Sequence, residues 1–383
     1  MKPLPLAALR ALYPDAPRTP LLDALDAALG PGGAAPLDPA VPADVWTAAL
    51  AGPAAEFLAR PGKDLRAMLV RAGFRLGGGP GRDAVGAAAQ RAQASARVIE
   101  LAIELFLAGS LIIDDVQDAS DERRGSPALH RLVGAPLAIN TGSWLYFWAL
   151  AELARLAVPG ALERATAALA RCHQGQALDL ATRVVELEPR DVPAVVAATT
   201  RLKTATLCRL AVELGALAAG APEARAQILG DLGEAVGRAL QMLDDLGGLV
   251  AAHAASAAAQ ATAPAPAAQA PAAQARSAKG HEDLREARPT WAWAWLAEQH
   301  DPFAWARLIG LLRAVLAGGD PGPLAAALVE RIEPVGRARV RAELDTALAT
   351  ARAALEADPD AAAALPALYE LAADLRRMET MYG

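Results

Sequence analysis

The sequence predicts an all-α protein, because helical patterns are long and strand patterns are scarce. Apolar residues recur at three- and four-residue spacing in segments rich in Ala, Leu, Arg and Glu. The clearest of these segments are residues 91–111, 161–180, 200–218 and 226–246. Alternating β-branched runs bounded by turn residues, which are typical of strands, do not occur at any length. Clusters of Gly and Pro separate the helical segments, and no fixed-period repeat indicates a solenoid.

Two stretches depart from this helical pattern. Residues 1–45 are loosely patterned and contain prolines that would break any long helix. Residues 251–278 contain 17 Ala in 28 positions, but no Leu, Ile, Val or aromatic residue that a core could bury. We therefore expect an N-terminal extension over 1–45 and one domain over 46–383. Within that domain, 251–278 is expected to be an insertion that forms a mobile loop or a frayed helix outside the core.

The composition argues against several classes of protein. A net charge of −6, from 37 Lys and Arg against 43 Asp and Glu, argues against a general nucleic-acid binder. Two cysteines, Cys172 and Cys208, give no disulfide framework and indicate a reducing compartment. The first residues lack the apolar stretch of a signal peptide, so we expect a cytoplasmic location.

One uncharged run, over residues 132–151, has about the length of a membrane-spanning helix. Pro136 and the polar run 140–143 interrupt it. We therefore interpret this run as a loop followed by a buried helix, and we expect no transmembrane span.

The sharpest chemical signal is a group of three aspartates at the end of an apolar helical segment. Asp114 and Asp118 are one turn apart on the same helix face, and Asp115 flanks Asp118 at a spacing of three residues. Carboxylates this close repel one another unless a cation joins them. Oxygen ligands suit Mg²⁺, whose coordination is usually completed by substrate phosphates. The alternative is a solvated acidic helix end.

Two adjacent arginines, Arg123 and Arg124, follow the aspartates at short range. Carboxylates followed by two guanidinium groups form a suitable site for a magnesium-bound polyanion such as a diphosphate. The alternative is that both arginines simply pair with nearby acids, Asp121 and Glu122 among them.

From Asp114 to His130 the sequence closely resembles the first aspartate-rich region of the trans-isoprenyl diphosphate synthases, a family also called polyprenyl synthetases. The matching residues are Asp114-Asp115-Val116-Gln117-Asp118, Arg123-Arg124-Gly125, Pro127 and His130. Five other segments resemble family motifs and occur in the family's order: Gly62-Lys63-Asp64-Leu65-Arg66, Gly175-Gln176-Ala177-Leu178-Asp179-Leu180, Lys203-Thr204-Ala205-Thr206-Leu207, Leu240-Gln241-Met242-Leu243-Asp244-Asp245 and the stretch from Lys279 to Thr290. Three of the four lysines in the chain lie in these segments, which supports the resemblance independently.

The resemblance implies the isoprenoid synthase type I fold, a large single-domain helical bundle around a central cavity. It also implies an enzyme, a Mg²⁺-dependent trans-prenyltransferase that condenses an allylic diphosphate with isopentenyl diphosphate and so lengthens the polyprenyl chain. Ionisation of the allylic diphosphate would leave a cation that the apolar cavity shields from water. Family members are commonly homodimers, and we expect a homodimer here.

The resemblance assigns roles to individual residues. The residues implied as Mg²⁺ ligands are Asp114, Asp118 and Asp244. Those implied to take up charge on the leaving diphosphate are Arg123, Lys203 and Lys279. Those implied to hold isopentenyl diphosphate are Lys63, Arg66 and Arg124. The residues that complete the implied site are Asp115, Thr204, Gln241, Asp245 and Arg288.

Three positions depart from the family pattern. Gly248 stands where the second aspartate region usually has an acid, and Leu107 stands where a His or Gln usually helps to hold isopentenyl diphosphate. Asp64 replaces the usual Arg beside Lys63. A weakened acceptor site also permits other interpretations: a class I terpene synthase that cyclises the allylic diphosphate, a prenyltransferase to another acceptor, or a catalytically inactive homologue.

Residues just before the first aspartate bear on product length. In the family, aromatic residues at these positions close the cavity early, whereas this chain has Gly109 and Ser110. The resemblance therefore favours a deep cavity and a product of about C20 or longer. Phe106 lies one turn deeper, and the aromatic residues within 144–148 either line the cavity or pack in the core.

Overall fold

The computed structural model describes residues 19–62, 64–81, 84–260, 271–359 and 361–382, and most of them are helical. A two-stranded hairpin is the only β-structure in these ranges. The all-α prediction is therefore confirmed. Contacts divide the chain into two compact units. The residues of the first unit are Met1–Thr166 and Leu214–Pro222, and those of the second are Ala167–Glu213 and Glu223–Gly383. The single domain expected over 46–383 stays a prediction.

Helices of the first unit precede and follow the hairpin. They are α1 (Pro20–Leu29), α2 (Ala43–Trp46), α3 (Gly52–Leu58), α4 (Leu65–Leu76), α5 (Ala87–Gln117), α6 (Leu129–Val133) and α7 (Ala135–Ala154). A π-helical turn, Thr47–Ala51, joins α2 to α3. The strands β1 (Glu122–Arg123) and β2 (Ser126–Pro127) pair antiparallel between α5 and α6. Helix α1 contributes buried apolar residues, so part of the loosely patterned N-terminal segment is ordered helix.

Glycines bring α5 and α7 into close contact. A Cβ atom on Gly109 would lie 2.6 Å from the carbonyl oxygen of Gly142, and a Cβ atom on Gly142 would lie 2.9 Å from Ile113 Cγ1. Real Cβ atoms essentially never lie closer than 3.0 Å to another heavy atom, so glycine fits best at both positions of this crossing. The crossing holds the C-terminal end of α5, with its aspartates, against α7.

The longest helix among the described residues belongs to the second unit. The helices of this unit are α8 (Ala161–Ala181), α9 (Val192–Thr199), α10 (Thr206–Ala218), α11 (Glu223–Gln260), α12 (Pro271–Arg285), α13 (Trp291–Glu298), α14 (Pro302–Leu316), α15 (Gly322–Glu356) and α16 (Leu365–Tyr382). Helix α8 begins in the first unit and α10 ends there. A second π-helical turn, Thr200–Ala205, joins α9 to α10, and 3-10 turns occur at Val184–Glu186 and Ala362–Ala364. The four periodic segments named above all lie in helices or in this π-helical turn.

The Ala-rich segment 251–278 is more ordered than its composition predicts. Helix α11 continues to Gln260 and α12 begins at Pro271, while residues 261–270 lie outside the described ranges. Ala252 and Ser277 are buried, so the expectation that the whole segment lies outside the core is wrong for these parts. The physical reason is a close helix contact. Only small side chains fit where α11 and α12 touch, and Ala is also the best helix former.

The uncharged run over 132–151 belongs to the end of α6, Gly134 and most of α7. Pro136 lies in the first turn of α7, where its missing N–H breaks no helical hydrogen bond. Within the described ranges, no helix is both long enough and apolar enough to cross a membrane.

Candidate active site

The first cluster of candidate residues lies at the C-terminal end of α5. The backbone N–H of Asp118 donates to the carbonyl oxygen of Asp114 at 2.8 Å, and the helix then ends because Ala119 adopts a left-handed conformation with φ 51°. Asp115 is fully buried, whereas Asp114 and Asp118 are partly exposed. Two carboxylates one turn apart are therefore accessible beside a third that is enclosed.

The hairpin after α5 carries both arginines. Arg124 and Gly125 form its two-residue turn, with φ values of 57° and 75°. Two positive φ angles are typical of a type I′ turn, which matches the twist of paired strands. Arg123 is on β1, and its Nε donates to Asp115 Oδ1 at 2.8 Å. Its Nη2 also donates to Asp115 and lies 4.0 Å from Asp114 Oδ2.

The charges of Arg123 and Asp115 depend on each other. Burial raises the pKa of Asp115, and the hydrogen bond and charge of Arg123 oppose this rise. Burial lowers the pKa of Arg123, but the hydrogen bond to Asp115 and the charges of Asp115, Asp114 and Asp118 outweigh it, so the net pKa is raised. Asp115 Oδ2 is buried and has no hydrogen-bond partner among the described residues. The result is a permanently charged guanidinium beside the two accessible carboxylates.

Arg124 occupies a different environment from Arg123. Its Nη1 donates to the carbonyl oxygen of Arg60 at 3.2 Å, and its guanidinium carbon lies 5.5 Å from the ring centre of Phe57. Burial and the charges of Arg123 and Arg60 lower its pKa, while Glu104 opposes this shift. The two neighbouring arginines thus face different partners, as two separate diphosphate sites would require.

Glu104 of α5 lies among the residues expected to hold isopentenyl diphosphate. Its Oε1 accepts a hydrogen bond from the backbone N–H of Ala67 at 3.3 Å. Burial raises its pKa, the charges of Arg66 and Arg124 lower it, and Asp64 raises it further. Arg66 Nε is buried without a partner in the described part of the chain. Lys63, the remaining residue of this group, lies outside the described residues.

Gly109 and Ser110, where small residues are expected to open a deep cavity, both contact Tyr146 of α7. The space beside Gly109 is filled by α7, because a Cβ atom there would also lie 3.0 Å from Tyr146 Cε1. Ser110 accepts a hydrogen bond from the Tyr146 hydroxyl at 3.1 Å and donates to the carbonyl oxygen of Phe106 at 2.8 Å. Small size at position 109 therefore serves a helix contact rather than an empty volume beside it.

In the second unit, Lys203 lies on the π-helical turn Thr200–Ala205. Such segments insert one extra residue into a helix and are frequent at functional sites. A Cβ atom on Gly175 of α8 would lie 2.3 Å from the backbone nitrogen of Lys203, so glycine is required where α8 meets this turn. Lys203 Nζ donates to Asp179 Oδ2 at 2.6 Å.

Asp179 also accepts a hydrogen bond from Arg288, another residue of the predicted site. Nη1 of the buried Arg288 donates to Asp179 Oδ2 at 3.2 Å, and its Nε donates to Glu286 Oε2 at 2.7 Å. The structure thus brings Lys203 and Arg288 together on one carboxylate. The sequence predicts both cations as site residues but not Asp179, although Asp179 belongs to the Gly-Gln segment that resembles a family motif.

Side chains of the second aspartate region on α11 differ in exposure. Asp244 is exposed, whereas Asp245 is held by two hydrogen bonds, from Gln241 Nε2 at 2.8 Å and from the backbone N–H of Trp291 at 2.9 Å. The hydroxyl of Thr204 donates to Gln241 Oε1 at 2.8 Å. Three predicted site residues therefore form one chain of hydrogen bonds that ends on Asp245. Burial and the charge of Asp283 raise the pKa of Asp245 to about 7.

Lys279 belongs to a neighbouring ion cluster on α12. Its Nζ lies 3.3 Å from Glu282 Oε1 and 3.1 Å from Asp283 Oδ1. Burial lowers its pKa, but the charges of Asp283 and Glu282 outweigh this and raise it. Glu282 also lies 3.6 Å from Arg288 Nη2, so this cluster and the Asp179 cluster are continuous.

Gly248, where the family usually has an acid, lies at a close contact between α11 and α12. Gly248 faces Gly280 where α11 crosses α12, and a Cβ atom on Gly280 would lie only 2.1 Å from the carbonyl oxygen of Gly248. A Cβ atom on Gly248 would meet Gly280 atoms at 3.5 Å and the carbonyl oxygen of Arg276 at 3.7 Å. An acidic side chain at 248 would therefore point into a contact between two helices.

Replacement of Gly280 tests this crossing. We expect Gly280→Ala to lower the free energy of unfolding by about 2–3 kcal/mol, because the new methyl group overlaps backbone atoms. Gly248→Ala is the matched control: it meets only ordinary contacts and replaces a helical glycine, so stability should be unchanged or rise by about 0.5–1 kcal/mol. Urea unfolding followed by circular dichroism measures both. Equal stability of the two variants would contradict the close contact.

Three side chains near the first cluster are absent from the sequence prediction: Glu104, Arg60 and Glu56, which accepts hydrogen bonds from Arg60. Glu104 interrupts an otherwise apolar run, which was a usable signal. In the described part of the chain, no group of three or more His, Cys, Asp and Glu side chains is arranged to hold a metal ion by itself. The metal ligands expected from the sequence therefore remain a prediction.

Sequence comparisons agree with the motifs. The profile of the polyprenyl synthetase family matches residues 47–257, more than half of the chain. Geranylgeranyl pyrophosphate synthase 2 of Zymoseptoria tritici is 34% identical over 51% of this chain and 54% of its own length. Geranylgeranyl pyrophosphate synthase of Mucor circinelloides f. lusitanicus is 36% identical over 41% of this chain and 47% of its own length. The chain thus spans about half the length of these relatives.

Solved structures extend the likeness to almost the whole chain. A polyprenyl synthase from Caulobacter crescentus CB15 matches with a TM-score of 0.62 at 23% identity, over 95% of both chains. A geranylgeranyl pyrophosphate synthase from Lactobacillus brevis ATCC 367 matches with a TM-score of 0.64 at 22% identity, over 97% of this chain and 99% of its own. At this identity the likeness concerns the fold alone, which is the all-helical type I fold expected above. Because the family profile matches more than half of the chain, over residues 47–257, the chain belongs to the polyprenyl synthetase family.

Proposed function

We propose that the chain is a Mg²⁺-dependent trans-prenyltransferase that condenses an allylic diphosphate with isopentenyl diphosphate. The observation that carries this proposal is the cluster at the end of α5. Two accessible carboxylates, Asp114 and Asp118, stand beside a guanidinium, Arg123, which a buried carboxylate holds in place. This combination suits a polyanion that arrives with a divalent cation.

The residues at both aspartate regions fit Mg²⁺. They offer oxygen ligands only, and Asp114, Asp118 and Asp244 are all accessible. Mg²⁺ commonly takes one or two carboxylates and completes its coordination with water and substrate phosphate. When bound, the metal would supply Lewis-acid stabilisation of the departing diphosphate. In the first unit Asp114 and Asp118 would be the Mg²⁺ ligands, and in the second unit Asp244 would be one.

Cations within each unit would stabilise the negative charge that develops on the leaving diphosphate. Arg123 is oriented by Asp115, so its remaining N–H groups are fixed before substrate binds. Lys203 and Arg288 are oriented by Asp179 in the same way. Preorganised donors of this kind need little reorganisation when charge develops, which is why they are effective in catalysis.

Arg66 and Arg124, together with Lys63, are proposed to hold isopentenyl diphosphate. The charges of Arg66 and Arg124 both lower the pKa of Glu104, so the two guanidinium groups lie near the same carboxyl group, which supports a shared site. We further propose a product of about C20, a homodimer and a cytoplasmic location. Support for the product comes from the relatives, which are named geranylgeranyl pyrophosphate synthases.

Cyclisation of the allylic diphosphate, or transfer to another acceptor, is the second candidate. The observation that favours it is the acceptor site, where Glu104 and Asp64 reduce the positive charge. Leu107 adds no hydrogen-bond donor there.

One assay separates these functions. Purified full-length protein with Mg²⁺ is given dimethylallyl, geranyl or farnesyl diphosphate, each with and without isopentenyl diphosphate, and products are identified by mass spectrometry before and after phosphatase treatment. We expect longer diphosphates only when isopentenyl diphosphate is present, and none after Mg²⁺ is chelated. Hydrocarbons or alcohols formed without isopentenyl diphosphate would support the second candidate. No turnover of any substrate would refute both elongation and cyclisation.

A further inference from the structure

Arg60 is a buried arginine outside every recognised motif, and it contacts the hairpin that carries Arg123 and Arg124. Its Nη1 donates to the carbonyl oxygen of Arg123 at 3.1 Å, and its Nη2 donates to the carbonyl oxygen of Pro127 at 2.8 Å. Arg123 is on β1 and Pro127 on β2. A single guanidinium therefore bridges the two strands.

Glu56, one turn earlier at the end of α3, fixes the orientation of this guanidinium. It accepts hydrogen bonds from Arg60 Nε at 3.1 Å and from Nη2 at 2.8 and 2.9 Å. The side chains of Arg60 and Glu56 are only 0% and 2% exposed. Loss of hydration offsets much of the attraction in a buried ion pair, so the pair adds little net stability to the fold. What the pair does provide is a fixed orientation of the Arg60 guanidinium.

The same short segment also holds Arg124. Two guanidinium groups lie over the ring of Phe57. The guanidinium carbon of Arg60 is 5.3 Å from the ring centre, and that of Arg124 is 5.5 Å from it. The carbonyl oxygen of Arg60 accepts a hydrogen bond from Arg124 Nη1 at 3.2 Å. The chain from Glu56 to Arg60 thus contacts the hairpin backbone and one of its two functional side chains.

We infer that Arg60, oriented by Glu56, is a positioning residue that holds the hairpin so that Arg123 and Arg124 are set for their two diphosphates before substrate binds. The effect expected on turnover rests on the proposed function, whereas the claim that Arg60 holds the hairpin does not. Small displacements of positioning groups are known to cost large factors in rate, so the hairpin's attachment is expected to matter for turnover.

Hydrogen exchange tests the structural part without any substrate. In the double variant Glu56→Gln/Arg60→Met, which removes both charges of the pair, backbone amides of peptides covering 121–129 should exchange at least about tenfold faster than in wild type. The matched control is Glu100→Gln/Arg71→Met. It removes another ion pair of the same unit, 2.7 Å long, which joins α4 to α5. The control should leave these amides unchanged.

Arg60→Lys is the second variant, in case the double variant does not fold. An ammonium is a point charge without the planar fork, so it should not hold both carbonyl oxygens in the same geometry. Faster exchange at 121–129 is expected here too. Wild-type exchange at 121–129 in the folded variants, or an equal increase in the control, would overturn the inference.

Kinetics then test the catalytic part. The KM for isopentenyl diphosphate should rise about tenfold in Glu56→Gln/Arg60→Met and less than twofold in Glu100→Gln/Arg71→Met, because only the former removes the hydrogen bonds that hold the backbone of the hairpin carrying Arg124. An unchanged KM alongside faster exchange would overturn the catalytic part. If wild type fails to transfer prenyl groups at all, the proposed function fails, and the exchange result still decides whether Arg60 positions the hairpin.

Discussion

Asp114→Asn is expected to lower kcat about 10³-fold while the protein stays folded. The amide keeps the shape of the carboxylate but removes the charge that would bind Mg²⁺ beside the leaving diphosphate, and losses of this size follow removal of a single group that stabilises transition-state charge. The measurement is steady-state prenyl transfer over a range of Mg²⁺ concentrations. A higher Mg²⁺ requirement should accompany the lower kcat.

The matched control for this variant is Asp121→Asn. Asp121 is a nearby acid whose side chain is 86% exposed and pairs with Arg131 at 2.9 Å. Exposed ion pairs contribute little, so its activity should stay within twofold of wild type. Activity of Asp114→Asn within tenfold of wild type, with an unchanged Mg²⁺ requirement, would show that the end of α5 is not the metal site.

Lys203→Met should have the second largest effect, a fall in kcat of about 10²-fold. The methionine keeps an unbranched chain of similar length but removes the ammonium that Asp179 orients, so charge on the leaving group loses one stabilising donor. Arg288 remains on Asp179, so the carboxylate keeps a partner and the fold should survive. Single-turnover kinetics with excess enzyme would separate this chemical step from product release.

Arg201→Met provides the comparison for Lys203→Met. It removes one positive charge from the same π-helical turn, but Arg201 is exposed. A similar loss of activity in both variants would mean that general positive charge matters, rather than the specific contact with Asp179.

The sequence predicted the long helices well because their information is local and repetitive. A segment such as α5 repeats its apolar pattern over many turns, so periodicity identifies it even in an unfamiliar chain. The aspartates were found for a similar reason. Their spacing along one helix places them together without any knowledge of tertiary structure.

Contacts between distant segments could not be predicted in this way. Arg60 meets the hairpin carbonyl oxygens across more than sixty residues of sequence, and carbonyl groups carry no residue-specific signal. Gly109 was interpreted from the family as an open position. Its actual neighbour, α7, is known only once the helices are packed. The π-helical turn around Lys203 likewise leaves no pattern that distinguishes it from an ordinary helix.

The hairpin turn places stability and activity in opposition. Arg124 adopts φ 57°, a conformation that costs a residue with a Cβ atom about 1–2 kcal/mol and that Asn or Gly adopts far more easily. A thermostability programme guided by turn statistics would therefore select Arg124→Asn and obtain a sturdier hairpin. The same change would delete a guanidinium proposed to bind substrate. The proposed role of Arg124 in substrate binding would account for an unfavourable residue at this turn, so stabilising libraries should leave position 124 fixed.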